Sequence, residues 1–166
     1  LPSHPPEVPQ PVSTDWPVAL AARTPGQEMS HPYPYLQPMY ARAMADLEKT
    51  VEGRPNSGFA AHVRPGDTIT FKVSQQQPRL PMIKVCVTEV LKFPSFRDML
   101  VYFEDFPART GGLAALLPKS TGFEGTADDA VRVYHSLRDR QGNKYEDLAN
   151  SSGALAIRVQ LKAIQG

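Results

Sequence analysis

One cysteine in 166 residues, Cys86, excludes an intramolecular disulfide and a thiolate metal cage. Its place inside an apolar run reads as a small core residue rather than a nucleophile. No apolar stretch has the length needed to cross a bilayer, so a soluble, intracellular (cytoplasmic or nuclear) protein is expected, with no membrane partner. The four histidines His4, His31, His62 and His135 are scattered without ligand spacing, so no metal and no cofactor are expected. No G-x-S-x-G elbow surrounds Ser57, Ser74, Ser151 or Ser152, and no phosphate-cradling glycine motif precedes a Lys-Ser/Thr pair. Charge of one sign is scarce too: the formal net charge is +1, which neither demands nor forbids a nucleic-acid partner. The chain opens on Leu1 rather than Met, leaving preceding sequence open, and shows no signal peptide.

Proline is abundant but unevenly placed. Ten of the 17 prolines fall before residue 39, and they rule out a continuous helix there. Residues 1–27 are therefore expected to be a Pro-rich arm, disordered or extended, with Trp16, Val18 and Leu20 as anchors if it lies on the domain. Residues 28–166 supply the folded domain, and 41% hydrophobic residues suffice for its core.

Tyr40, Ala43, Met44 and Leu47 form one helical stripe. Lys49 to Arg54 reads as a strand that Pro55-Asn56-Ser57-Gly58 ends with turn chemistry. Arg64-Pro65-Gly66-Asp67 is a tight turn leading into Thr68–Val73, where Ile69, Phe71 and Val73 alternate with polar residues. Gln75-Gln76-Gln77-Pro78 reads as a hairpin loop before a central strand, Ile83–Val90. Ser95 with Asp98, and Thr126 with Asp129, are capping boxes for two helices. Pro107 to Gly125 is expected to be a long surface loop. Strict alternation over 154–162 predicts a closing strand. Strands mixed with two or three short helices give an α+β fold.

Chemistry concentrates at Lys49, Glu52 and Arg54. On a strand Glu52 and Arg54 share a face, and Val51 takes the other. Spacing alone fits an exposed ion pair of little energetic consequence. A buried Lys beside a carboxylate would instead make an acid/base pair, and Arg offers bidentate recognition of phosphate or a base edge. Basic and aromatic residues that interleave with these (Arg64, Lys72, Lys84, Arg132, Tyr134, Lys144 and Tyr145) suit unstacked RNA bases. Tyr134 fits a core position better, whereas Tyr145 reads as an exposed loop residue available for stacking. Glu104 and Asp105 could add a carboxylate, although a solvated helix end accounts for them.

Lys49-Thr50-Val51-Glu52-Gly53-Arg54, Gly66-Asp67-Thr68-Ile69-Thr70-Phe71, Val85–Val90, Ser95-Phe96, Leu116-Leu117-Pro118, Ala130–Tyr134 and Gly153–Ile157 stand in the order of the ASCH (activating signal cointegrator homology) family. The chain resembles that family over residues 28 to 164. The resemblance implies a small PUA-like β-barrel flanked by two or three helices. It also implies an RNA-binding or modified-nucleoside-binding module, serving as a coactivator or an RNA-metabolism accessory protein. Its cleft would be lined by Lys49, Glu52 and Arg54, with Ser57, Arg64, Lys84 and Tyr145 nearby. Some relatives are described as acetylcytidine amidohydrolases that use a Lys, a Thr three residues later and a separate Glu. Lys49 matches that Lys, but Glu52 stands where the Thr would be, and neither Thr50 nor Ser57 occupies that position. A bacterial relative is described as a ribonuclease. A small hydrolase with Lys49 and Glu52 as catalytic residues is thus one alternative. A protein-interaction module using the Pro-rich arm is the other.

Overall fold

A computed structural model describes residues 16–32, 34–73 and 81–165. Most of the Pro-rich arm and the 75–78 hairpin loop lie outside these residues. In chain order the elements are β1 (Val18–Ala19), β2 (Ser30–His31), β3 (Tyr35–Leu36), α1 (Pro38–Ala45), β4 (Val51–Pro55), β5 (Thr68–Val73) and β6 (Met82–Phe93). There follow α2 (Phe96–Asp105), α3 (Pro107–Thr110), α4 (Leu113–Leu116), α5 (Ala127–His135), α6 (Tyr145–Ser152) and β7 (Ala154–Gln165). Short 3-10 turns occupy Gly58–His62 and Lys119–Thr121.

The result is an α+β architecture around a seven-stranded sheet. Its main path runs β2-β5-β6-β7-β4; β1 adds to β6 and β3 to β5. The antiparallel β6–β7 pair is its spine, 12 residues on each side, with register shifts at Lys84/Val85 and Val87/Glu89. Such bulges bend and twist a strand pair. The sheet stays open, with β2 and β4 at the ends of the path, so the expected closed barrel is not what the described residues form.

Apolar faces divide between two cores. One joins Phe93, Phe96, Met99, Leu100, Phe103, Leu116 and Tyr134, under α2 and α5. The other joins Met44, Ile69, Phe71, Ile83, Val85, Leu155 and Ile157. Of the two expected capping boxes, the reciprocal one forms at α5, and at α2 the Ser95 side chain alone caps the helix. The Asp98 amide donates to Ser95 Oγ at 3.1 Å, and the Thr126 amide donates to Asp129 at 2.8 Å. Glu104 caps the same α5 terminus by accepting from the Ala127 amide at 2.7 Å.

The stretch from Pro107 to Gly125 is not a plain loop. It folds into α3, α4 and a 3-10 turn and buries Ala115, Leu116 and Leu117. Both α-helices span four residues, too short to leave a helical period in the sequence. Gly111 and Gly112, with φ of +91° and +74°, make the break between them. The described part of the arm lies extended on the domain. β1 pairs with Leu91 and Lys92, Leu20 donates to the Val90 carbonyl, and Trp16 packs on Phe93 and Tyr102; Val18 is exposed.

Asp67 ties this segment to the sheet. Fully buried, its carboxylate accepts from the Met29 amide (2.9 Å), the Arg64 amide (3.0 Å) and Arg23 Nε (3.2 Å), and it meets His31 Nε2 at 2.8 Å. Burial pushes its pKa up, but the hydrogen bonds from His31, Met29, Arg23 and Arg64 outweigh that and hold it below the ordinary value. A depressed folded-state pKa contributes stability above the unfolded value, about 3.9, and the contribution disappears as pH falls through the folded value. Asp67→Ala is therefore expected to cost about 3–5 kcal/mol at neutral pH, measured by urea unfolding. Asp67→Asn should flatten the decline in stability between roughly pH 5 and pH 2. An unchanged acid limb would refute this role.

Candidate ligand-binding cleft

β4 begins where α1 ends, after a turn in which Leu47 takes φ +64°. The junction swings Lys49 back over the strand, so its ammonium meets Glu52. Lys49 is 3% exposed and Glu52 6%. The Lys49 ammonium donates to the carbonyls of Val51 and Leu116, each at 2.7 Å, and stands 3.3 Å from Glu52 Oε1. Glu52 Oε2 lies 3.0 Å from both Nε and Nη2 of Arg54. Arg54 Nη2 also donates to the Tyr35 carbonyl at 2.7 Å, fixing β3 beside β4. A single carboxylate is thus clamped between two cations.

Burial is the main influence on Lys49 and lowers its pKa; Glu52 opposes this, and Arg54 adds to the lowering. Burial also acts to lower Arg54, but Glu52, Tyr145 and Tyr134 more than reverse it, so its pKa is raised. Burial lifts the phenols as well. Tyr134 is well above its ordinary value, with Glu52 adding to the effect, and Tyr40 and Tyr145 are raised.

This triad lines a cavity of about 560 Å³, a volume within the range of small-molecule sites. Residues of both cores contribute to its wall, and Tyr40 packs against both. The wall is aromatic as well as charged: Tyr35, Tyr40, Phe59, Tyr134 and Tyr145 all face it. Arg54 lies 5.4 Å from the Phe59 ring centre, and Lys49 5.5 Å from that of Tyr40. Tyr134 and Tyr145 are both held by stacking on Phe96, with centroids 4.9 and 6.0 Å away.

The structure brings Lys49, Glu52, Arg54, Ser57 and Tyr145 together at one cavity. Tyr145 is buried at the start of α6, not exposed in a loop. Arg64 is elsewhere, donating to the Ala61 and Val63 carbonyls, and Lys84 sits in β6 opposite Thr70. Neither lines the cleft. Lys72 is on β5, and Arg132 pairs with Asp129 on the surface. The sequence reading missed Tyr35, Phe59 and the loop from Arg138 to Gln141, all of which line the cavity. Only the interleaving of Arg with Asp and Gln in that loop hinted at a role, and it reads equally as a solvated turn.

Neither a protein-family model nor a curated protein matches the chain. Among solved structures, the fold is similar to that of the hypothetical protein PH0355, with a TM-score of 0.57 and 23% sequence identity over 81% of this chain and 99% of that one. The solution structure of protein PF0455 from Pyrococcus furiosus aligns with a TM-score of 0.49 and 21% identity, covering 81% of this chain and 96% of that one. The likeness to PH0355 is one of fold.

Gly53 lets the triad strand run against Tyr134. A Cβ there would stand 2.7 Å from the Tyr134 hydroxyl and 2.9 Å from its ring. Gly53→Ala should therefore displace Tyr134 from its stack on Phe96, costing about 1–3 kcal/mol and lowering Tm. A Tm equal to that of the parent would show that the ring is not held as described.

Proposed function

We propose that this protein is an ASCH-like module with an open sheet that binds a nucleoside moiety, free or within single-stranded RNA, in the cleft around Glu52. The observation that carries this reading is a buried carboxylate, fixed between Lys49 and Arg54, at the wall of an aromatic-lined cavity. Aromatic faces suit an unstacked base whatever its identity. A carboxylate accepts hydrogen bonds from base N–H groups. Glu52 Oε1 receives only the Lys49 ammonium among the described residues, which leaves it acceptor capacity toward the cavity.

Hydrolysis has less support. The Lys49 ammonium is engaged with two carbonyls and Glu52, so it is an orienting group rather than a free base. Glu52 occupies the place of the nucleophilic Thr in the amidohydrolase pattern, and Thr50 does not line the cavity. For the arm-based interaction reading, the described segment from Trp16 to Leu20 is itself packed on the domain. No helix among the described residues is long and apolar enough to cross a membrane.

The test is calorimetric titration with adenosine, cytidine, guanosine, uridine and a short single-stranded RNA. At least one nucleoside should bind, and Phe59→Ala should weaken it about tenfold or more, because each base stacked on an aromatic ring contributes roughly 1–3 kcal/mol. Phe59 is only half-buried, so the variant should keep its fold, which circular dichroism would verify. No binding by any probe, or equal binding by Phe59→Ala, would refute the reading.

A further inference from the structure

The loop between α5 and α6 forms part of the cavity mouth, and its construction is not that of a slack connection. The Asp139 carboxylate accepts from the Gln141 amide (2.9 Å), the Asn143 amide (2.8 Å) and Asn143 Nδ2 (3.1 Å). The Asp139 amide donates back to the Asn143 carbonyl at 2.9 Å, and Gly142 turns the chain with φ +86°. Asp139 is therefore committed to its own backbone and pairs with no cation among the described residues.

Its two neighbours are arginines. Arg138 donates to the Gly142 carbonyl at 2.8 Å, and the Arg140 guanidinium lies 4.3 Å from the Tyr35 ring centre. Both are exposed, and neither is paired with a carboxylate among the described residues. A guanidinium stacked on a ring keeps its N–H edge free for a planar or tetrahedral anion. The cavity lining holds four cations, Lys49, Arg54, Arg138 and Arg140, against two carboxylates, Glu52 and Asp139, a net +2. The whole chain carries only +1, so positive charge is focused at this concavity.

We infer that Arg138 and Arg140 form a phosphate clamp at the mouth, so that the ligand enters base first and keeps a phosphate outside. The inference rests on the nucleoside-binding reading and narrows it: the natural ligand is a nucleotide or an RNA nucleotide rather than a free nucleoside. The phosphate can belong to a mononucleotide or to an RNA strand; the chemistry at the clamp is the same.

The experiment compares, by calorimetry on the full chain, each of the four nucleosides with its 5′-monophosphate and with a tetraribonucleotide of the same base. For the base that binds, a phosphate-bearing form should bind about tenfold or more tighter than the nucleoside, and the advantage should shrink as salt rises. A gain with the monophosphate assigns a free nucleotide, and a gain with the tetranucleotide alone assigns a strand. In Arg138→Ala/Arg140→Ala the advantage should drop to within about twofold. Both positions are exposed, so the variant should stay folded. Equal affinity of nucleosides and phosphorylated forms, or an advantage that survives in the double variant, overturns the clamp and leaves nucleoside binding standing. If none of the probes binds, the nucleoside reading falls and the clamp with it.

Discussion

Glu52 is the carboxylate around which the site is organised. Withdrawing a Lys, a Glu and an Arg from water is costly, and the attraction among them offsets this only when geometry and the remaining hydrogen bonds are good. Here both conditions hold. The Lys49 ammonium has two carbonyl acceptors besides Glu52, and Arg54 has the Tyr35 carbonyl. Those extra bonds reach separate parts of the chain: Leu116 at the end of α4, Tyr35 in β3, and Val51 in β4 itself. The triad thus fixes the relative positions of elements far apart in sequence.

That cross-linking explains why a cavity persists between two cores. The helical core and the sheet core each bury their own apolar faces, and the mutually paired Lys49, Glu52 and Arg54 line the cavity at the seam between them. Tyr134 and Tyr145 extend from the helical core into the seam, stacked on Phe96, while Leu36 and Ala60 belong to the opposite core. Collapse of the seam would force the triad to give up hydrogen bonds in a low-dielectric environment, where unpaired charge is most expensive. Preorganisation follows from the same cost: a ligand meets a carboxylate whose orientation is already set.

Elements with a repeating pattern were legible from sequence. β7 forms where expected, although its first four residues are buried on both faces and burial alternates only beyond Ile157. The Ser95 cap of α2 and the capping box of α5 form because Ser95 and Thr126 stand three residues before Asp98 and Asp129. Gly66 supplies the φ of +94° that its turn requires. The common face of Glu52 and Arg54 followed from strand parity, with Val51 turned into the helical core. What could not be read were features created by tertiary contact. Burial of Lys49 and Glu52 depends on Leu116, in a segment whose four-residue helices leave no period. The involvement of Tyr35 depends on β3 joining β5 in parallel, a pairing that two-residue strands do not announce, and that of Phe59 on the short 3-10 turn after β4. Arg64 and Lys84 share the charge of the cleft residues but lie on other faces, which composition and spacing do not distinguish.

The most direct test is a crystal structure of the chain with the nucleoside or nucleotide that binds best in solution. The account predicts the base inside the cavity against the Phe59 and Tyr40 walls, with a base N–H about 2.7–3.2 Å from Glu52 Oε1 and the Lys49–Glu52–Arg54 contacts intact. A ligand seated on another face, or one that enters the cavity only by breaking the Arg54–Glu52 pair, would contradict it.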